Sequence, residues 1–151
     1  MLRSFLLLCL STIVLNFSSS AQLGKIPVAV TAAFAKQYTS AKEVSYEDNL
    51  SDYAVKFVVD SSKMLARYSS KGIWKGSEKT ISFDSLSADV KDGFKKSKFA
   101  DWKVQSVLQM YLAESAGGGV QYRIKVTKTD LKKRYLYFNR LGRLVRDTMT
   151  L

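Results

Sequence analysis

A helical stripe followed by four short strand-like runs occurs twice along this chain, in the same order. No other feature restricts the possible folds as much. In the first copy, residues 26–38 carry Val30, Phe34 and Tyr38 at i, i+4 and i+8, which puts them on one face of a helix. Pro27 suits the first turn, where its missing N–H costs nothing. Residues 43–48, 53–60, 63–69 and 73–81 then read as strands. Tyr53, Val55, Phe57 and Val59 alternate with Ala54, Lys56 and Val58, the two-residue period of a strand with a preferred buried face. Turn-forming residues separate the runs at 48–52, 60–62 and 69–72.

The order then restarts. Ser85 or Ser87 can cap a second helix over 88–98, in which Val90 and Phe94 repeat the spacing of Val30 and Phe34. The offset of 60 residues also sets Val44 on Val104. Residues 103–112 read as a longer strand with Val104, Leu108, Met110 and Leu112 in one phase. Strands over 120–128, 132–139 and 142–151 complete the unit. Tyr122, Ile124 and Val126 match Tyr53, Val55 and Phe57. At an offset of 70, Leu136, Phe138 and Gly142 match Ala66, Tyr68 and Gly72. Helix, apolar phase and glycine turn all recur in order, which points to a duplication. Either copy alone is near the size at which burial struggles to offset chain entropy. The expectation is therefore one compact α+β domain. Tandem α-β-β-β-β units, 22–82 and 83–151, would form one antiparallel sheet with both helices on one face.

Residues 1–21 read differently. Arg3 is followed by an apolar run over 5–15, and Ser19 and Ala21 place small residues where a signal peptidase needs them. A signal peptide cleaved after Ala21 is expected, so the exported protein should have an intact mass beginning at Gln22. A soluble product retaining residues 1–21 would contradict this. The apolar run falls well short of the ~20 residues that span a bilayer, and no transmembrane segment is expected after its removal. Cys9 lies inside that run, too early for a lipoprotein cleavage site. The expected location is periplasmic or secreted.

Composition then removes chemistry. There is no histidine, and the single cysteine leaves with the signal. The commonest general base, a thiol nucleophile, a disulfide and a thiolate metal site are all excluded. Gly117, Gly118 and Gly119 lead from strand to strand, with no helix N-terminus to hold a phosphate. Glu47, Asp48 and Asp52 fall at a hairpin loop without calcium-loop spacing. Ser61 and Lys63 form too common a pair to indicate a serine–lysine dyad. No enzyme, cofactor or metal site is expected. The formal net charge is +11. Export argues against nucleic acid as partner, leaving acidic proteins, anionic glycans or lipid headgroups, while solubility alone accounts for the charge equally well.

If the apolar strand phase points to the helices, the opposite phase carries Lys56, Arg67, Tyr111, Arg123, Lys125, Lys133, Tyr135 and Tyr137. Basic residues interleaved with tyrosines suit a protein-binding surface, and an ordinary solvated sheet face is the plainer explanation. The stretch 26–44, with its helical stripe and following strand, and the turn formed by Lys71, Gly72, Ile73 and Trp74 resemble the PepSY-like proteins, also described as β-lactamase-inhibitor-like. The likeness covers the chain after residue 21 and is clearest over 26–81. In the second copy, 98–102 departs from the pattern of 38–42. The resemblance implies tandem α-β units and a binding or inhibitory role outside the cytoplasm, and it brings no catalytic residues. Two readings follow. One is a non-enzymatic module that binds or inhibits an envelope or secreted protein through the open sheet face. The alternative is a binder of anionic envelope glycan or lipid through Lys95, Lys96, Lys98, Lys132, Lys133, Arg134, Arg140, Arg143 and Arg146.

Overall fold

The computed structural model describes residues 26–150, and the expected signal peptide lies outside the described residues. Helix α1 (Val28–Gln37) precedes strands β1 (Lys42–Asp48), β2 (Tyr53–Val59), β3 (Ser62–Tyr68) and β4 (Trp74–Ile81). Helix α2 (Ala88–Lys95) precedes β5 (Lys103–Leu112), β6 (Val120–Thr129), β7 (Lys132–Asn139) and β8 (Leu144–Met149). All eight strands join one antiparallel sheet in sequence order. The expected α+β architecture is the observed one.

Local chemistry sets the helix starts. Pro27 sits at the N-cap of α1, one position before the first turn. Ser87 caps α2 by accepting from the Val90 N–H, while Ser82 caps the short turn before it, satisfying donors that a helix start leaves unpaired. Each helix buries the same two positions, Val30 and Phe34 in α1 and Val90 and Phe94 in α2. Against α1 pack Val55, Phe57, Ala66 and Tyr68. Against α2 pack Val107, Ile124, Val126, Leu136 and Phe138, with Leu86 and Phe99 closing the ends. Each of the valine, leucine, isoleucine and phenylalanine side chains contributes roughly 1.5–3 kcal/mol by leaving water.

One irregularity recurs at the equivalent place in both halves. The ladder shifts between Arg67 and Tyr68 in β3, and again between Tyr137 and Phe138 in β7. Gly72 and Gly142 follow these shifts with φ of +75° and +72°, each pressed on the backbone of its own helix, at Ala29 and Asp89.

One strand departs from expectation. In β5, Val104 faces Val126 while Ser106 faces Lys125, so Gln105 is an extra residue that reverses the phase beyond it. Val107, rather than Leu108, enters the core under α2. Leu108, Met110 and Leu112 turn to the other face, and Tyr111 turns to the helices. Tyr111 is paired with Ser77, whose hydroxyl accepts from the Tyr38 hydroxyl at 3.0 Å. Tyr111 therefore lines a helix-side cleft of about 190 Å³ with Tyr38, Met64 and Trp74. The expected open-face position for Tyr111 is corrected by this bulge. Burial pushes the Tyr38 and Tyr68 hydroxyls above the usual phenol range. Both are satisfied, Tyr68 by donating to Gln37 Oε1 at 2.8 Å.

Candidate binding face

Neither helix covers the second face of the sheet, and the strand register places three kinds of surface across it. Over β1–β3 two cations of the face are paired. Lys56 bonds Glu47 across the β1–β2 ladder, and Arg67 Nη1 lies 3.4 Å from Asp52 Oδ1. The exposed Lys56–Glu47 pair contributes little, about 0–1 kcal/mol.

The middle of the face is apolar. Leu65 and Met110 flank Glu78, Leu112 lies beside Gly76, and Leu108 faces Arg123. All four apolar side chains are half-buried. Gly76, at φ +138°, leaves a depression of about 110 Å³ between Leu65, Arg67, Met110 and Leu112. This apolar strip is absent from the expected face because the phase reversal at Gln105 has no unambiguous mark in the sequence.

Over β6–β8 the face is tyrosine and cation. The Arg123 guanidinium stacks 5.0 Å from the Tyr135 ring centre, and Lys125 Nζ approaches the same ring at 5.7 Å. Arg123 also reaches Glu78 at 3.9 Å. Arg146 lies 3.9 Å over the Tyr137 ring, the closest cation–ring approach among the described residues. Lys133 completes the patch opposite Thr127. Arg146 pairs with Tyr137 in the ladder. Sequence spacing places it only among the general basic residues, because the β7–β8 ladder shift hides its phase. Tyr137 is only 8% exposed, without any helix above it. Its cover is Arg146, so of the two tyrosines on this phase Tyr135 is part-exposed and Tyr137 is buried.

The structure thus brings Arg123, Lys125, Lys133, Tyr135 and Tyr137 into one patch. Lys56 and Arg67 lie on the same face in the other half, and Tyr111 lies behind it. Side chains of these types are able to stack, form forked hydrogen bonds and make apolar contact.

No family model matches this sequence, and no curated protein matches it. Solved structures do. A BLIP-like protein from Bacteroides fragilis aligns with a TM-score of 0.73 at 22% identity, over 81% of this chain and 84% of that one. A DUF2874 family protein from Bacteroides ovatus aligns with a TM-score of 0.76 at 22% identity, over 83% and 89%. A candidate periplasmic protein from Bacteroides eggerthii gives 0.74 at 23%, over 83% and 90%. This chain has their fold. Identity this low fixes architecture and transfers no site residue. The likeness is to the BLIP-like architecture, and nothing in these matches is specific to the PepSY-like group. No helix among the described residues is long and apolar enough to cross a membrane.

Proposed function

We propose that this protein is an exported, non-enzymatic binding module that engages another envelope or secreted protein through the sheet face opposite its helices. The observation that carries this reading is the half-exposed Tyr135 between Arg123 and Lys125, on a face whose neighbouring strip is Leu108, Met110 and Leu112. A sheet face meant only for water has no use for that strip. The candidate periplasmic neighbour and the BLIP-like neighbour support an extracytoplasmic setting and a protein partner, and the missing histidine supports a non-catalytic role.

The test compares variants in capture from an envelope extract, followed by affinity measurement with the captured protein. Tyr135→Ala should weaken binding by about 1–3 kcal/mol while stability stays nearly unchanged. Tyr137→Ala is a poor probe, because removing a buried ring also destabilises the fold. Charge reversal at Lys95 and Lys96, on the helix side, should matter little. Dominance of those lysines with Tyr135 silent, and steep loss of binding with salt, would instead indicate an anionic envelope polymer.

A further inference from the structure

The far end of the second half holds a surface that shares only Lys133 with the sheet-face patch. Between the loop after α2, the β6–β7 hairpin and the end of β8 lies an open cleft of about 390 Å³. Its apolar wall is Phe99, Trp102, Leu131 and Met149. Phe99 is buried and Trp102 half-buried, but Leu131 is 95% exposed and Met149 79% exposed. Leu131 stands at the tip of the β6–β7 hairpin, where a solvated turn ordinarily takes a polar residue.

The rest of the lining has one sign of charge. Lys98, Lys132, Lys133 and Arg134 border the cleft, and no carboxylate does. Asp147 lies alongside, 2.6 Å from Arg134 and 3.4 Å from Lys98, and so neutralises part of that charge. Lys132 and Lys133 have no carboxylate within ion-pair distance among the described residues. Asp130 shares the hairpin tip and is the one acid beside Leu131.

We propose that this corner docks onto an anionic lipid surface, with Leu131 and Met149 entering the headgroup–acyl boundary and Lys132 and Lys133 meeting lipid phosphates. Protruding apolar side chains ringed by lysines match a bilayer interface, where apolar groups sink and long cationic side chains stay at headgroup level. Trp102, amphipathic and half-buried in the cleft wall, is of the residue type that settles at that interface. A free polyanion would satisfy the lysines but leave Leu131 and Met149 in water. That difference favours lipid. The corner shares Lys133 with the sheet face but not Tyr135, so Tyr135→Ala should leave it untouched.

The test uses the chain from Gln22 with Trp74→Phe, which makes Trp102 the sole indole. It is mixed with vesicles of phosphatidylcholine alone or of phosphatidylcholine and phosphatidylglycerol in about a 7:3 ratio. Co-sedimentation with the anionic vesicles and a blue shift of Trp102 emission are expected. Part of the binding should persist at about 0.5 M salt, where screening removes most long-range attraction. Leu131→Asp should lower vesicle affinity about ten-fold or more and remove the salt-resistant part. Lys132→Glu should reduce the preference for anionic vesicles. If Trp74→Phe does not fold, the emission difference between the native chain and Trp102→Phe gives the same readout. Absence of a Trp102 shift would overturn the proposal. So would vesicle binding indifferent to Leu131→Asp and lost entirely in salt, which is diffuse attraction by a basic protein. Dextran sulfate binding with no vesicle binding would assign the corner to a soluble polyanion instead.

Discussion

Phe34→Ala and Phe94→Ala should each destabilise the protein by about 3–5 kcal/mol, the cost of a deleted buried ring plus the cavity it leaves. Both side chains are nearly inaccessible, at 3% and 5% exposure. Phe34 is held among four rings, those of Tyr38, Tyr46, Phe57 and Tyr68, at centroid distances from 4.9 to 6.5 Å. Phe94 has two, Phe83 at 5.3 Å and Phe138 at 6.4 Å. Ring pairs contribute beyond area alone, so Phe34→Ala should fall at the upper end of the range. Urea unfolding followed by circular dichroism reads the effect directly. Both variants should also lower the same single transition. Six consecutive residues of β4 pair with β5, and Ile81 of β4 packs on the core beneath α2. The halves therefore share a strand boundary and part of a core. Two separate transitions, each sensitive to one substitution, would show that the halves unfold independently. A change below about 1 kcal/mol at Phe94 would mean that its ring is not the anchor of α2.

The sequence reveals these anchors because both kinds of period are clean where they matter. Val30 and Phe34, then Val90 and Phe94, keep helical spacing. Val55, Phe57, Ile124 and Val126 keep strand spacing, and the structure uses all of them as that spacing requires. Legibility fails where an inserted residue changes phase. Val104 and Val107 both face α2 only because Gln105 bulges between them, and a strict two-residue period cannot hold both. A strict period also puts Tyr111 on the open face and hides the apolar strip of Leu108, Met110 and Leu112. The ladder shift beside Tyr137 similarly concealed Arg146. For the binding face, residue types were readable from alternation in β2, β3, β6 and β7. Who covers whom was not. The burial of Tyr137 depends on one guanidinium from the next strand, a contact that no spacing rule specifies.

Gly93→Ala is expected to destabilise, which reverses the usual effect of that change inside a helix. Alanine in place of a mid-helix glycine ordinarily gains about 0.5–1 kcal/mol. Here a Cβ on Gly93 would stand 1.8 Å from the Gly142 carbonyl oxygen, and that atom belongs to backbone with no rotamer to escape into. The β7–β8 turn and α2 would have to separate, at a cost of about 1–3 kcal/mol. Gly142→Ala meets the same interface from the other side, with its Cβ 2.0 Å from the Asp89 carbonyl oxygen. It also carries φ +72°, which adds about 1–2 kcal/mol for a residue with a Cβ. The Gly142 variant should therefore be the worse of the two. Gly119→Ala isolates the conformational part, because φ there is +78° and nothing lies within 4 Å of the added carbon. Its loss should stay near the 1–2 kcal/mol of backbone strain alone. In the first half Ala33 occupies the position equivalent to Gly93, and the Gly72 turn rests on Ala29 with slightly more room, 2.4 Å. Gly72→Ala should accordingly fall between Gly119→Ala and Gly142→Ala. Urea midpoints for the four variants, at unchanged m-value, give the ranking. A stabilised Gly93→Ala would show that the turn does not press on α2 in solution, leaving the positive φ of Gly142 as the remaining reason for a glycine there.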